Sequence, residues 1–169
     1  MSIRLYVPCD AVAVALDADN VADALKRQAD ARGVTVEIVR NGSRGLHWLE
    51  PMVEVAGPEG RIAYGPLTVE GAPGVLDAMI DGTAHPLHLG DPQEIPFLKR
   101  QTRLTFARCG IVDPKSIEDY RAHGGYRGLA RALEIGPAAI VAAVTESGLR
   151  GRGGAGFPTG IKWKSALDA

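Results

Sequence analysis

The residues with the clearest chemical potential lie in a stretch where glycines alternate with cationic side chains. From Gly148 to Trp163 it reads Gly-Leu-Arg-Gly-Arg-Gly-Gly-Ala-Gly-Phe-Pro-Thr-Gly-Ile-Lys-Trp. Glycine adopts backbone angles that other residues avoid, so successive N–H groups can converge on one anion. A helix beginning at Thr159 would present its N-terminus to the same anion. Positive potential would come from Arg150, Arg152, Lys162 and Lys164. The pattern predicts a phosphate-binding loop. The alternative is a flexible linker, which normally contains Ser and Gln rather than Arg, Phe and Trp.

The same glycines match the dinucleotide fingerprint Gly-x-Gly-x-x-Gly at Gly151, Gly153 and Gly156. That fingerprint needs a strand before the first glycine and an acidic residue about twenty positions later. Residues 137–147 are instead Ala-rich and begin with proline, which predicts a helix. The sequence ends at Ala169, before such an acid. A Rossmann fold is therefore not predicted.

The composition of the chain indicates which kinds of partner the protein binds and where in the cell it is located. The 19 basic and 20 acidic residues give a net charge of −1, which favours neither nucleic acid nor an anionic membrane. An early apolar run, residues 11–16, lies between Asp10 and Asp17 and is too short for a signal peptide or a membrane span. We expect a cytoplasmic protein that does not bind a membrane. A length of 169 residues suits one domain plus part of another.

The amino-terminal half has the pattern of a small α/β domain. Alternation at Ile3, Leu5 and Val7 predicts a strand, and Asp17 or Asp19 is positioned to cap a helix. The later elements are a strand at 34–38, a helical turn at 46–49, a hairpin of 52–56 with 61–64, and a helix at 73–80. This order is that of thioredoxin, and Pro51 stands where thioredoxin folds place a proline, commonly cis.

Domain boundaries follow from these patterns. We predict a thioredoxin-like domain at 1–84 and a second domain that begins at residue 99 and continues to 169. Residues 85–98 are rich in Gly, Pro, Asp and His, which indicates a linker. His85 and His88 lie in this linker, and a proline between them argues against a metal pair. No metal ligand and no catalytic residue is assigned.

Three short helices are predicted in the second domain. Ser116 and Asp119 are spaced as in a capping box, and Gly124-Gly125 ends that helix. The next helix begins at Tyr126, and Gly136-Pro137 separates it from the helix that leads to the glycine loop.

The glycine-rich segment resembles the NADH and FMN site of the flavoprotein subunit of respiratory complex I. Diaphorase subunits of NAD-reducing hydrogenases and of NAD-dependent formate dehydrogenases belong to the same family. Residues upstream of the loop support the resemblance: Gln101, Arg103, Phe106, Gly110, Asp113-Pro114, the run 116–120 and Gly124-Gly125-Tyr126.

The resemblance implies a flavin and nicotinamide site at the loop. Lys162 would lie beside the isoalloxazine ring, where a cation stabilises the negative charge of the reduced flavin. Phe157 would offer an aromatic face to the adenine, the alternative being an ordinary core phenylalanine. Trp163 is expected to pack against its own domain. The implied FMN- and NAD-binding residues are Gly151, Arg152, Gly153, Gly154, Ala155, Gly156, Phe157 and Lys162.

The first domain resembles the thioredoxin-like subunit of complex I, which holds a two-iron cluster with four cysteines. The corresponding positions here are Cys9, Val14, Ser43 and His47. A single thiolate cannot replace four, so we expect no cluster in this domain. The other cysteine, Cys109, forms no Cys-x-x-Cys pair with Cys9, which excludes dithiol exchange of the thioredoxin kind. The domain is expected to dock onto a neighbouring subunit.

Within the family, the fusion of these two domains most resembles the beta (diaphorase) subunit of cytoplasmic, molybdenum-containing, NAD-dependent formate dehydrogenase. This implies formate oxidation to CO2 with NAD+ reduction, an FMN, a [4Fe-4S] cluster held by residues after Ala169, and two partners. They are a cluster-bearing thioredoxin-like gamma subunit and a large molybdenum and iron–sulfur alpha subunit. Two alternatives stay open: a hydrogenase diaphorase and a non-catalytic docking module. The fragment alone is expected to be inactive.

Overall fold

The computed structural model describes residues 2–169 of the chain. Two compact units can be distinguished within it. The first ends at His123, and the second comprises Gly124–Ala169. The first unit contains a five-stranded sheet and its helices, whereas the second consists of two helical stretches and the loop between them.

The sheet of the first unit is mixed. Its strands are β1 (Ser2–Tyr6), β2 (Thr35–Val39), β3 (Val53–Gly57), β4 (Gly60–Tyr64) and β5 (His88–Gly90), in the spatial order β2-β1-β3-β4-β5. β1 and β2 run parallel, and every other neighbouring pair is antiparallel. Alternation sets the two faces of β1: Ile3 and Leu5 are buried, while Arg4 between them is exposed.

The helices of the first unit are α1 (Ala11–Ala15), α2 (Ala18–Ala31), α3 (Ala72–Asp81), α4 (Pro96–Lys99) and α5 (Ile117–Ala122), with short 3-10 helices at His47–Leu49 and Pro92–Glu94. Of these, α2 and α3 cover the apolar face of the sheet. Leu25 of α2 and Leu76 of α3 are fully buried in one core with Leu5. Each such leucine contributes about 1.5–3 kcal/mol on burial. Arg32 also joins the two helices by an ion pair to Asp77 at 2.8 Å.

The first unit has the thioredoxin fold, as predicted. Its diagnostic features are the parallel β1–β2 pair, the antiparallel β3 beside β1, and a cis Glu50–Pro51 peptide bond just before β3. A second cis bond joins Gly65 to Pro66. The predicted order of strands and helices is therefore correct from β1 to α3, apart from α1.

Two elements of the first unit differ from the sequence-based expectation. Residues 85–98, interpreted as a linker, include β5, which pairs with β4, and Gly65 N donates to Leu87 O at 3.1 Å. This pairing satisfies backbone N–H and C=O groups at the edge of β4. The sequence did not predict β5 because three residues are too few to show the alternation of a strand. The compact unit also continues past residue 84 to His123. Helix α1 was not predicted.

The helix boundaries follow the predicted signals in part. Ser116 caps α5, since its Oγ accepts a hydrogen bond from Asp119 N at 3.1 Å. In a capping box, the side chain of Asp119 would accept a hydrogen bond from Ser116 N. Here Asp119 Oδ2 accepts from Asp113 N instead, at 2.7 Å. Asp17 occupies the N-cap position of α2 with a φ of 75° and makes no side-chain capping bond. Its carboxylate accepts from Asn20 Nδ2 instead.

A buried ion pair ties the segment before α5 to the sheet. The guanidinium of Arg44 donates twice to Glu54 on β3, and these residues are only 5% and 2% exposed. Arg61 on β4 also contacts Glu54, and it donates to the carbonyls of Gly110 and Ile111 at 3.1 and 2.7 Å. The carbonyls of Gly110 and Ile111 are thus held to the sheet by hydrogen bonds from Arg61.

The second unit contains α6 (Arg127–Glu146) and α7 (Thr159–Leu167). α6 is interrupted at Gly136, whose φ of 76° and ψ of 170° are not helical, as the predicted break before Pro137 requires. α7 packs closely on α6: a Cβ placed on Gly160 would lie 2.6 Å from the Cα of Thr145. Glycine is required at that crossing.

By length and composition, α6 is the one helix among residues 2–169 that is long and apolar enough to cross a membrane. The same criterion is met by core helices of soluble proteins. α6 carries an exposed ion pair between Arg131 and Glu134 at 2.8 Å, and it is kinked at Gly136. Charges and a break within a span are unfavourable in hydrocarbon.

Candidate functional site

The glycine loop of the second unit is closed at its base by backbone hydrogen bonds. Arg150 and Pro158 form an antiparallel bridge. Gly151 N donates to Phe157 O at 2.8 Å, and Thr159 N donates to Leu149 O at 2.9 Å. Residues 152–156 therefore project from a narrow neck, and the last of these bonds leads directly into the first turn of α7. This is an ordered loop and not an extended linker.

The backbone at the tip of this loop is accessible. Within the described part of the chain, the amides of Arg152, Gly153 and Gly154 have no hydrogen-bond partner. A Cβ placed on Gly153 or Gly154 would meet nothing within 4 Å, so a ligand can approach the main chain there. Of residues 151–156, Gly156 has the left-handed conformation, with a φ of 54°. Gly151, Gly153 and Gly154 do not have a positive φ.

Positive charge is concentrated at the loop and on the first turns of α7. Residues 147–167 contain no Asp or Glu. Arg152 and Lys162 form no ion pair among residues 2–169. Lys164 differs, because both carboxylate oxygens of Asp168 accept from its ammonium at 2.9 Å. A cation near a helix N-terminus opposes the macrodipole, and an anion bound there would stabilise both.

Two aromatic residues flank this charged region. Phe157 is 54% exposed and Trp163 is 45% exposed within the described residues. Phe157 is therefore not a core residue within the described part of the chain. Trp163 was expected to pack against its domain, and nearly half of its surface is open instead.

The four positions that correspond to cluster cysteines differ in their surroundings. Cys9 Sγ lies 3.5 Å from Arg40 O, and Ser43 Oγ accepts from Gly45 N at 2.9 Å. Val14 and His47 are exposed. Among the described residues, no group of three or more His, Cys, Asp or Glu side chains converges to hold a metal ion.

The two linker histidines and the second cysteine have other surroundings. His85 Nδ1 accepts from Leu87 N at 3.2 Å, and the ring of His88 packs edge-on against Tyr64 with centroids 5.3 Å apart. Cys109 is exposed and unpaired with Cys9.

Sequence reasoning missed two features of the structure. Arg150 donates through Nε to the carbonyl of Gly156 at 2.7 Å, so it acts inside the loop as well as adding charge. Glu50 is 4% exposed, and burial is the main cause that raises the pKa of its carboxyl above the ordinary value of 4.5. Its Oε2 accepts a hydrogen bond from Met52 N at 3.0 Å.

Together, the fold and the loop define a chain in which a thioredoxin-like unit precedes a helical unit with an accessible, cationic, glycine-rich loop. Such a loop can bind a phosphate by its amides and its basic side chains, with an aromatic face beside them. No family model matches the chain.

Curated relatives match part of it. The HndC subunit of the NADP-reducing hydrogenase of Solidesulfovibrio fructosivorans is 59% identical over 69 residues, which is 41% of this chain and 14% of the relative. A subunit of the NADH-quinone oxidoreductase of Streptomyces coelicolor is 59% identical over 49 residues, 29% of this chain and 11% of the relative. The equivalent subunit in Aquifex aeolicus is 45% identical over 76 residues, 44% and 18% respectively. The chain thus spans less than a fifth of these relatives. The predicted relationship to subunits of NADH-quinone oxidoreductases and of a hydrogenase is confirmed.

Solved structures show weaker likeness. The thioredoxin-like [2Fe-2S] ferredoxin of Aquifex aeolicus matches 53% of this chain and 97% of its own, with 16% identity and a TM-score of 0.44. An NAD+-reducing [NiFe]-hydrogenase matches 96% of this chain and 27% of its own, with 20% identity and a TM-score of 0.38. Scores at this level establish no relationship, so the thioredoxin fold rests on the strand order itself.

Proposed function

We propose that this chain is part of a flavoprotein subunit that exchanges electrons between FMN and NAD(H) in a larger oxidoreductase complex. The observation that carries the proposal is the loop at 151–157, with accessible amides and unpaired cations beside an exposed aromatic ring. The names of the matching relatives, which are subunits of an NADH-quinone oxidoreductase and of an NADP-reducing hydrogenase, support it.

The residues present fit a phosphorylated flavin. Gly151, Arg152, Gly153 and Gly154 would hold the phosphate, because amides without partners and a guanidinium are strong donors to it. Gly156 turns the chain, and with Ala155 it completes the loop. When bound, FMN supplies conversion between two-electron and one-electron transfer.

Two side chains would contact the rest of the cofactors. Lys162 follows the loop on α7 and carries an unpaired ammonium, so it would stabilise negative charge on the reduced ring. Phe157 would stack on the adenine of NAD. We assign no [4Fe-4S] ligand to the described residues 2–169, and no cluster to the thioredoxin-like unit.

For the physiological donor, we propose formate, oxidised to CO2 with reduction of NAD+. The partners would be a cluster-bearing thioredoxin-like gamma subunit and a large molybdenum and iron–sulfur alpha subunit. The support is the fusion of a thioredoxin-like unit lacking cluster cysteines to the loop-bearing unit. We place the complex in the cytoplasm, with no membrane or nucleic-acid partner, since charge is nearly balanced and α6 carries an ion pair and a kink.

A second candidate is the diaphorase subunit of a hydrogenase that reduces NAD or NADP. The identity of 59% with the HndC subunit supports this candidate. The two differ in the donor, so reduction of NAD+ by the purified complex under formate or under hydrogen separates them. A non-catalytic docking module is the third alternative, which the unpaired cations of the loop disfavour.

The test compares Lys162→Ala with Lys164→Ala in the intact subunit. Both remove one ammonium from α7, but Lys164 is already paired with Asp168. We expect a yellow wild-type protein whose FMN spectrum is bleached by NADH. In Lys162→Ala, flavin content or the rate of bleaching should fall by about tenfold or more, while Lys164→Ala stays close to wild type. A colourless wild-type protein favours the docking module, and equal behaviour of both variants contradicts the role of Lys162.

A further inference from the structure

We infer that Arg150 is a positioning residue of the glycine loop: it holds the loop closed from within, so that the amides at its tip are arranged before a phosphate binds. The inference rests on the proposed FMN function. It assigns to Arg150 a role distinct from that of Arg152, whose guanidinium would contact the phosphate itself.

The geometry places Arg150 at the neck of the loop and its side chain across it. The backbone of Arg150 bridges Pro158, and Nε donates to the carbonyl of Gly156 at 2.7 Å. A Cβ on Gly156 would lie 3.9 Å from this same Nε. The backbone bridge closes the base of the loop, and the side chain fixes its returning arm one residue before Phe157.

The carbonyl of Gly156 needs such a partner for a conformational reason. Gly156 is left-handed, with a φ of 54°, and a glycine has many alternative conformations available. Each residue that becomes ordered costs about 1–2 kcal/mol of backbone entropy. A bond that orders the arm in the ligand-free protein removes part of this cost from binding.

Arginine is suited to this task and lysine is not. The guanidinium has five N–H donors in a rigid plane, so a bond through Nε leaves four others. Arg150 is exposed, and these donors are therefore accessible while the side chain is held. A lysine would keep the charge but has no donor at the Nε position. Arg150→Lys therefore separates the hydrogen bond to Gly156 from the electrostatic contribution.

The experiment uses the intact subunit after removal of its flavin. Affinities for FMN and for riboflavin, which lacks the phosphate, are measured by quenching of flavin fluorescence for wild type, Arg150→Lys and Arg131→Lys. Arg131 lies on α6 and pairs with Glu134, so its substitution controls for a lost guanidinium elsewhere in the unit. Hydrogen exchange of residues 149–159 is followed without ligand, and melting temperatures test folding.

We expect Arg150→Lys to weaken FMN binding by about ten- to a hundredfold, the value of one charge-assisted hydrogen bond. Riboflavin affinity should stay within about twofold and exchange at the loop should rise by about tenfold, while Arg131→Lys behaves as wild type. Unchanged exchange in Arg150→Lys overturns the positioning role, and so does an equal loss of FMN and riboflavin affinity, which would indicate a general structural role. A wild-type protein that binds both flavins equally contradicts the proposed function itself, and the inference with it.

Discussion

Replacement of Gly110 by alanine probes how the segment before α5 is attached to the thioredoxin-like sheet. Gly110 has a φ of 79°, and an added Cβ would lie 2.2 Å from Cγ of Arg44 and 3.3 Å from its Cα and Cβ. Arg44 cannot simply rotate away, because it is 5% exposed and donates twice to Glu54. Moving it would leave a buried carboxylate with fewer partners.

The expected magnitude has two parts. Any L-residue with a left-handed backbone costs about 1–2 kcal/mol. Overpacking of a filled site adds about 1–3 kcal/mol. Gly82 is a matched control, since its φ is 66° and its Cβ would meet nothing within 4 Å. Gly82→Ala should therefore cost about 1–2 kcal/mol, and Gly110→Ala about 2–5 kcal/mol.

Urea unfolding followed by tryptophan fluorescence measures both values. The chain has two tryptophans, Trp48 in the first unit and Trp163 in the second. A Trp163→Phe background makes Trp48 the reporter of the unit that contains both glycines. Equal losses of unfolding free energy for Gly110→Ala and Gly82→Ala would refute the close contact between Gly110 and Arg44.

Two further changes test a buried carboxyl and a helix crossing. Because burial raises the pKa of Glu50, the folded state keeps a proton that the unfolded state releases, so stability is lost as pH rises from 4.5 through the raised folded pKa. Glu50→Gln should remove this loss, and parallel urea-unfolding profiles of variant and wild type between pH 4.5 and 8 would contradict it. Gly160→Ala should lower the hydrogen-exchange protection of α7, with a cost of about 1–3 kcal/mol. Gly128→Ala is the control: its Cβ would meet nothing within 4 Å and its position is helical, so it should be neutral or stabilising by up to about 1 kcal/mol. Similar hydrogen exchange of α7 in the two variants would contradict the requirement for glycine at the crossing of α6 and α7.

The candidate site shows where sequence reasoning succeeds and where it stops. The density of glycine and arginine between residues 148 and 163 was sufficient to single out the loop, because few structural roles need both residue types together. The sequence did not distinguish the cations. Arg150 is bonded within the loop and Lys164 is paired with Asp168, while Arg152 and Lys162 form no ion pair within residues 2–169. That difference depends on which acceptor each side chain can reach.

The sequence by itself determined the thioredoxin order of elements, since alternation at Ile3 and Leu5, the turn residues and Pro51 are local signals that the core then satisfies. It also determined the chemical character of the loop. Only the tertiary structure decided that β5 completes the sheet and that Glu54 is buried against Arg44. Each depends on a partner elsewhere in the chain: β5 pairs with the edge of β4, and Glu54 accepts from the guanidinium of Arg44. Local patterns record a residue's preference, whereas pairing across the fold decides whether its backbone or charge is satisfied.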